Sequence, residues 1–390
     1  VAGAFLARDA AWRVTAAPPT GAWTPGALAD LLDPGRAGFD EVIDVRSPAE
    51  HAEDHLPGAV NLPVLDDAER ARVGTIYVQE SRFLARRVGA ALVARNAAAH
   101  LEGPLSGKGP GYRPLVYCWR GGQRSGSFAT ILRQIGWRVG VLEGGYRTYR
   151  RMVQAALYDL PFPAPVVVLD GNTGSAKTEI LKLLPGLGVQ AIDLEALANH
   201  RGSIFGAQPG GQPGQKGFES ALAAAMATLD PARPVVVEAE SSKIGARIVP
   251  PALWEAMKAA PRVEIAAPLA ERAAYLARAY GDMAGDREAF AAVLDRLRPY
   301  HAGERVADWQ ALLAAGRLEP LAGRLMAEHY DPRYAKQRAR IAGRVKAAFV
   351  VLRLDAVGLA EAARAVARAV KSMAGPEGRP GALPPDPRGI

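Results

Sequence analysis

The stretch PVVVLDGNTGSAKTEI, Pro165–Ile180, sets the tightest limit on what this chain can fold into. Val166–Leu169 is an unbroken apolar run, the mark of a strand buried on both faces, and such strands belong to parallel sheets covered by helices. A glycine loop follows it, and a helical pattern follows the loop. That order brings backbone N–H groups and a helix N-terminus to one point, where a phosphate group is favoured. Gly171, Asn172, Thr173, Gly174, Ser175, Ala176, Lys177 and Thr178 are therefore the candidate diphosphate-binding residues. Lys177 would neutralise a terminal phosphate, and Thr178 offers a hydroxyl to Mg²⁺, although the sequence leaves the metal unknown. Ala176 stands where this pattern carries its last glycine. A helix start has negative φ, so its methyl is expected to be tolerated there. Further on, PVVVEAESSKIG ends its apolar run at Glu238 and Glu240, either of which could sit beside the cation.

A second strand–loop–helix pattern, PLVYCWRGGQRSGSFA at Pro114–Ala129, holds the single cysteine of the 390 residues. The strand ends at Cys118, and a helix is expected from Ser125 to Ile135. Between them Trp119, Arg120, Gly121, Gly122 and Gln123 would curl backbone N–H groups inward into an anion cradle with sulfur at its floor. The helix N-terminus and Arg124 favour thiolate over thiol, which makes Cys118 a nucleophile. A lone cysteine forms no internal disulfide, so the expectation is a reducing compartment, the cytoplasm. Arg8 and Asp9 interrupt the first apolar residues, and no later run reaches membrane-spanning length, so a soluble protein with no membrane partner is expected.

The rest of the chain divides around these motifs. Residues 1–24 read as an extended arm, 25–160 as a first α/β domain and 161–328 as a second, with Pro161, Pro163 and Pro165 at the boundary. Residues 329–374 read as a basic helical region and 375–390 as a disordered tail rich in proline and glycine. The excess of 48 Lys and Arg over 40 Asp and Glu suits an anionic partner. Arg338, Arg340, Arg344 and Lys346 are the candidate contacts to it. No internal repeat is present.

The segment DVRSPAEHAEDHLPGAVNLP, taken with the cysteine loop, resembles the rhodanese-type domain. Asp44, Arg46, Pro48, Glu50, His55, Pro57, Gly58, Ala59, Asn61 and Pro63 fall on its opening motif, whereas His51 and Asp54 replace its usual aromatic residue and glycine. Five residues separate Cys118 from Arg124, one more than in the sulfurtransferases of that fold and as many as in its phosphatase branch. The loop alone leaves both chemistries open. From about Phe39 to Tyr334 the whole chain resembles the tRNA 2-selenouridine synthase family, a rhodanese-like domain followed by a P-loop NTPase-like α/β domain. The matching segments are YCWRGGQRS, LEGGYRTYR, GNTGSAKTE, NHRGSIFG, QPGQKGFE, EAESSKIG and HYDPRY. The resemblance adds His200, Arg201, Ser203, Gln212, Gln215, Glu219, Glu240, Ser241 and Tyr330 as candidate site residues. It implies replacement of sulfur by selenium in wobble 2-thiouridine of tRNA through an S-geranyl intermediate, with geranyl diphosphate and selenophosphate as co-substrates. It further implies catalytic roles for Cys118 and Arg124, with selenophosphate held by Trp119–Gln123 and Ser125. Two alternatives stand beside it: a sulfurtransferase or phosphatase fused to a small-molecule kinase, and a non-catalytic tRNA-binding module.

Overall fold

Short apolar runs bounded by turn residues become the strands of two parallel sheets, each in its own compact unit. The computed structural model describes residues 20–279, 287–335 and 342–373. One unit holds the described residues up to Pro161 together with Pro213–Thr228; the other holds Phe162–Gln212 and those from Leu229 onward.

The first sheet contains β1 (Gly21–Trp23), β2 (Glu41–Asp44), β3 (Val60–Asn61), β4 (Pro114–Tyr117) and β5 (Gly140–Leu142) in the order β1-β5-β4-β2-β3. Every pairing is parallel. β1 lies within the segment expected to be an extended arm; it pairs with β5 from Gly21↔Gly140 onward and forms an edge of the sheet. Ile43, Val116, Phe128 and Leu132 are completely buried in one core. The helical run after β3 is interrupted at Glu80, giving helices Asp67–Gln79 and Arg82–Glu102. Ser81 causes the break by capping the second helix, its hydroxyl accepting from Leu84 N at 3.3 Å. The helix after Cys118 spans Gln123–Gln134, starting two residues earlier than expected, because Ser125 turns its hydroxyl toward the sulfur and Gly122 occupies the cap position. Helix Gln215–Ala227 belongs to this unit although its sequence lies within the second α/β region: Glu219 takes hydrogen bonds from Arg150 and from Tyr158.

The second sheet contains β6 (Val166–Gly171), β7 (Gln190–Ile192), β8 (Val235–Glu238), β11 (Arg262–Ala266) and β12 (Val345–Val350), ordered β12-β11-β6-β8-β7 and again parallel throughout. β9 (Lys243–Ile244) and β10 (Arg247–Ile248) form a small antiparallel hairpin. The central position of β6 places its following loop at the carboxyl edge of the sheet, where ligands of open α/β folds bind. Helices Arg287–Asp295, Gly303–Ala314 and Leu318–Leu325 enclose a separate core around the buried Trp309. Helix Ala356–Met373 buries Ala363, Val366 and Val370 against the sheet core. The expected architecture, α/β with a rhodanese-like domain, a P-loop-like domain and a helical C-terminal region, is the one observed. One element corrects it. Lys346, expected on a basic helix, lies in β12, whose half-buried and exposed residues alternate with period two, and Arg344 sits in the 3₁₀ turn before it. Arg338, Arg340 and residues 375–390 lie outside the described residues, as does most of the arm. No helix among the described residues is long and apolar enough to cross a membrane.

Candidate functional site

Cys118 follows directly on β4 and is almost fully buried, at 4% exposure. The Ser125 hydroxyl donates to its Sγ at 3.1 Å from the first turn of helix Gln123–Gln134. Burial alone would push the thiol up, but the Ser125 hydroxyl, the N–H groups of Ser125 and Arg120, and the Arg124 charge outweigh it, so the thiol sits below its ordinary range. The loop is fixed from behind by the LEGGYRTYR segment: Tyr146 N donates to Cys118 O at 2.8 Å and Arg147 N to Trp119 O at 3.2 Å. Gly145, at φ +58°, has no room for a Cβ because Cys118 O and Gly121 N fill that space. The Trp119 ring stacks on Tyr146 at 5.1 Å, and the Arg46 guanidinium lies 4.2 Å from the other ring partner's centroid, that of Tyr146.

Arg124 does not reach into the loop. Its guanidinium forks onto Glu50, at 2.6 and 3.2 Å, and Arg70 joins the same carboxylate at 3.0 Å. Burial would raise Glu50, yet Arg124 and Arg70 hold it below its usual value. Behind Glu50 the buried Asp44–Arg46 pair donates onward to Asp54 O. His51 and Asp54, the two departures from the rhodanese motif, are absorbed here: His51 Nδ1 meets Asp44 at 3.0 Å and the Asp54 carboxylate accepts from Tyr146 at 2.7 Å.

In the second unit the loop after β6 curls over its own lysine. Lys177 Nζ donates to Gly171 O at 2.8 Å and Asn172 O at 3.4 Å. Ala176 corrects the expectation of negative φ: it lies at φ +56°, ψ +32°, in the left-handed region. The loop must turn sharply to aim its N–H groups inward, and the helix begins only at Lys177. Thr178 Oγ1 donates to Glu195 at 3.0 Å, and Glu195 N donates to Glu238 Oε1 at 2.7 Å. Glu238 Oε2 is buried with no hydrogen-bond partner among the described residues. Burial holds Glu238 well above the usual carboxylate range, and burial together with the Glu195 charge pushes Glu240 up to about 8. A cavity of about 520 Å³ opens here, walled by Lys177, Thr178, Glu195, Glu238, Glu240 and Arg201.

The other sequence candidates separate. Ser203 also lines this cavity. His200 turns inward to accept from Gly202 N at 3.2 Å. Gln212 is a clamp, its amide donating to Ala198 O and Ile244 O. Ser241 closes a turn with Lys243. Tyr330 lines a small apolar slot with Phe205, Leu276 and Phe290, and this slot shares Thr173 with the cavity. Gln215 and Glu219 lie in the first unit, where Gln215 donates to Glu219 at 2.9 Å, and they do not line the cavity. Among the described residues no group of three or more His, Cys, Asp or Glu side chains is arranged to hold a metal ion.

A family model described as the tRNA 2-selenouridine synthase AAA domain matches residues 164–298, and one for the rhodanese-like domain matches residues 24–152. The tRNA 2-selenouridine synthase of Chromohalobacter salexigens is 35% identical over 326 residues, covering 76% of this chain and 87% of that protein. Those of Alcanivorax borkumensis and Cupriavidus necator are 34% and 36% identical, each covering 78% of this chain and 91% and 90% of their own. The chain belongs to the tRNA 2-selenouridine synthase family. Sequence reading missed Glu195 and named Glu50 without its role. Glu195, which joins Thr178 to Glu238, carried a usable signal: QAIDLE ends a strand in acids at the edge where the phosphate loop emerges. Glu50 was legible only as a motif residue, since its hold on Arg124 spans 74 positions.

Proposed function

We propose that this chain is a tRNA 2-selenouridine synthase that replaces the sulfur of wobble 2-thiouridine by selenium in two steps, one per unit. The observation that supports this reading is the pair of strand–loop–helix anion cradles, one floored by a low-lying thiol and the other guarded by a lysine. In the first step geranyl diphosphate occupies the cavity at Gly171–Thr178. The thiouridine sulfur attacks the geranyl carbon, the carbon–oxygen bond breaks, the diphosphate leaves and the N3 proton passes to solvent. Lys177 and the loop N–H groups take up the charge that develops on the leaving group. Thr178 Oγ1 and Glu238 Oε2, the latter without a hydrogen-bond partner among the described residues, are the oxygens that would hold Mg²⁺, which would neutralise further diphosphate charge. In the second step selenophosphate sits in the loop Cys118–Ser125, selenium replaces geranylthiol at C2, and phosphate is released to water. Cys118 activates the selenium donor without forming a bond to it, while the loop N–H groups and Arg124, once released from Glu50, hold the phosphate until water cleaves the selenium–phosphorus bond. Arg338, Arg340, Arg344 and Lys346 contribute contacts to the tRNA backbone; of these, Arg344 and Lys346 are exposed.

The test uses the purified protein with 2-thiouridine tRNA, geranyl diphosphate and selenophosphate, followed by mass spectrometry of the nucleosides. Selenouridine that needs both co-substrates supports the reading. Selenouridine made without geranyl diphosphate removes the first step, and turnover of ATP with no change to the tRNA replaces the reading by a kinase fusion.

A further inference from the structure

The hairpin formed by helices Asp67–Gln79 and Arg82–Glu102 carries a surface that neither cradle accounts for. Helix Asp67–Gln79 buries none of its residues fully, and where the two helices meet, the end of the first exposes Val78 at 81% and Tyr77 at 47% and the start of the second exposes Phe83 at 74%. A tip of this kind in water needs an occupant. Between Arg70 and Arg95 stand six arginines and one carboxylate, Glu80. Arg72, Arg82, Arg86, Arg87 and Arg95 are all exposed, and none has a carboxylate within ion-pair distance among the described residues. Helical spacing gathers Arg82, Phe83, Arg86 and Arg87 on one outward arc, and the Arg82 guanidinium lies 5.6 Å from the Tyr77 ring centroid.

Charge decides between occupants. A second copy of this face would set these arginines, which no carboxylate offsets, against their own copies, whereas a polyanion with exposed ring faces matches both the cations and the aromatic residues. Position decides further. Arg70, at the base of the hairpin, shares the Glu50 carboxylate with Arg124 of the cysteine loop, so the hairpin rises directly beside that loop.

We propose that the outward face of this hairpin docks the substrate tRNA beside the cysteine loop, Tyr77 and Phe83 taking unstacked bases and Arg72, Arg82, Arg86 and Arg87 taking phosphates. The inference rests on the reading of the chain as a tRNA-modifying enzyme. It adds a recognition surface to the first unit, apart from the basic residues near the C-terminus.

The experiment measures binding of 2-thiouridine tRNA to the full chain across a salt series, for the parent, for the triple variant R82A/R86A/R87A and for the double variant Y77A/F83A. All five side chains are exposed and alanine favours helix, so thermal midpoints stay at the parent value. The triple variant lowers the slope of log affinity against log salt by about 2, at roughly 0.7–0.9 per lost phosphate contact. The double variant weakens binding at least about thirtyfold at unchanged slope, at about 1–3 kcal/mol per lost stacked base. Parental affinity and slope in both variants would overturn the proposal. So would a variant that changes only self-association, seen by sedimentation, or only binding to anionic phosphatidylglycerol vesicles. A parent chain that binds no tRNA would overturn instead the reading beneath it.

Discussion

Ala176 is a non-glycine residue held at φ +56° within a phosphate loop, and its energetics can be set out term by term. An L-residue in the left-handed region costs about 1–2 kcal/mol, which glycine would relieve. Against that, the Ala176 methyl is buried in the sheet core, and removing it forfeits about 1 kcal/mol. The two nearly offset. Ala176→Gly is therefore expected to keep its stability within about 1 kcal/mol of the parent in urea unfolding, while Ala176→Val, branched at a position that already disfavours any Cβ, loses more than that. Comparable losses in both would show that the residue does not hold this conformation in solution. A second residue-scale prediction concerns Ser125, whose hydroxyl is the largest favourable influence on the Cys118 thiolate. In Ser125→Ala the pH midpoint for alkylation of Cys118 by iodoacetamide rises, because a hydrogen bond to the charged sulfur is lost. An unmoved midpoint would assign the low-lying thiol to the backbone N–H groups and the Arg124 charge.

At the scale of elements, the segment after helix Leu318–Leu325 carries a pH dependence that HYDPRY does not advertise. His329 is buried; its Nε2 accepts from Arg333 at 3.1 Å, and its Nδ1 faces His301 Nε2 at 2.8 Å. Burial, with Arg333 and His301 adding to it, lowers His329 from 6.5 to about 4. Between those values the unfolded chain binds the proton and the folded chain does not, so stability is full above pH 6.5 and is lost as pH falls toward 4. His329→Gln should flatten that part of the stability-versus-pH curve, and parallel curves for variant and parent would contradict this account. Elements with strong local signals were legible in the sequence: β4, β6 and β8 are unbroken apolar runs, and the glycine loops that follow β4 and β6 mark the carboxyl edges of their sheets. β12 was not, because Lys346 and its basic neighbours imitate a solvated helix face, and only pairing with β11, whose partner residues lie 83 or 84 positions away, reveals the period-two alternation. Helix Gln215–Ala227 was misplaced for the same kind of reason, since Arg150 and Glu219, 69 positions apart, meet only in the fold.

For the whole molecule, both reactive loops could be read from the sequence because each is built from contiguous residues, whereas the groups that tune them come from distant parts of the chain. Glu50 reaches Arg124 and Glu195 reaches Thr178 only after folding. The central claim is a division of labour: the lysine loop alkylates the sulfur and the thiol loop delivers selenium. It is tested most directly by nucleoside mass spectrometry of tRNA treated with two single variants in the presence of both co-substrates. Cys118→Ala keeps the backbone cradle but lacks the sulfur, so it should accumulate S-geranyl-2-thiouridine and make little selenouridine. Lys177→Ala loses the charge partner of the leaving group, so it should leave thiouridine unmodified yet form selenouridine when supplied with geranylated tRNA and selenophosphate. Selenouridine at the parental rate from Cys118→Ala, or parental geranylation by Lys177→Ala, would contradict the account.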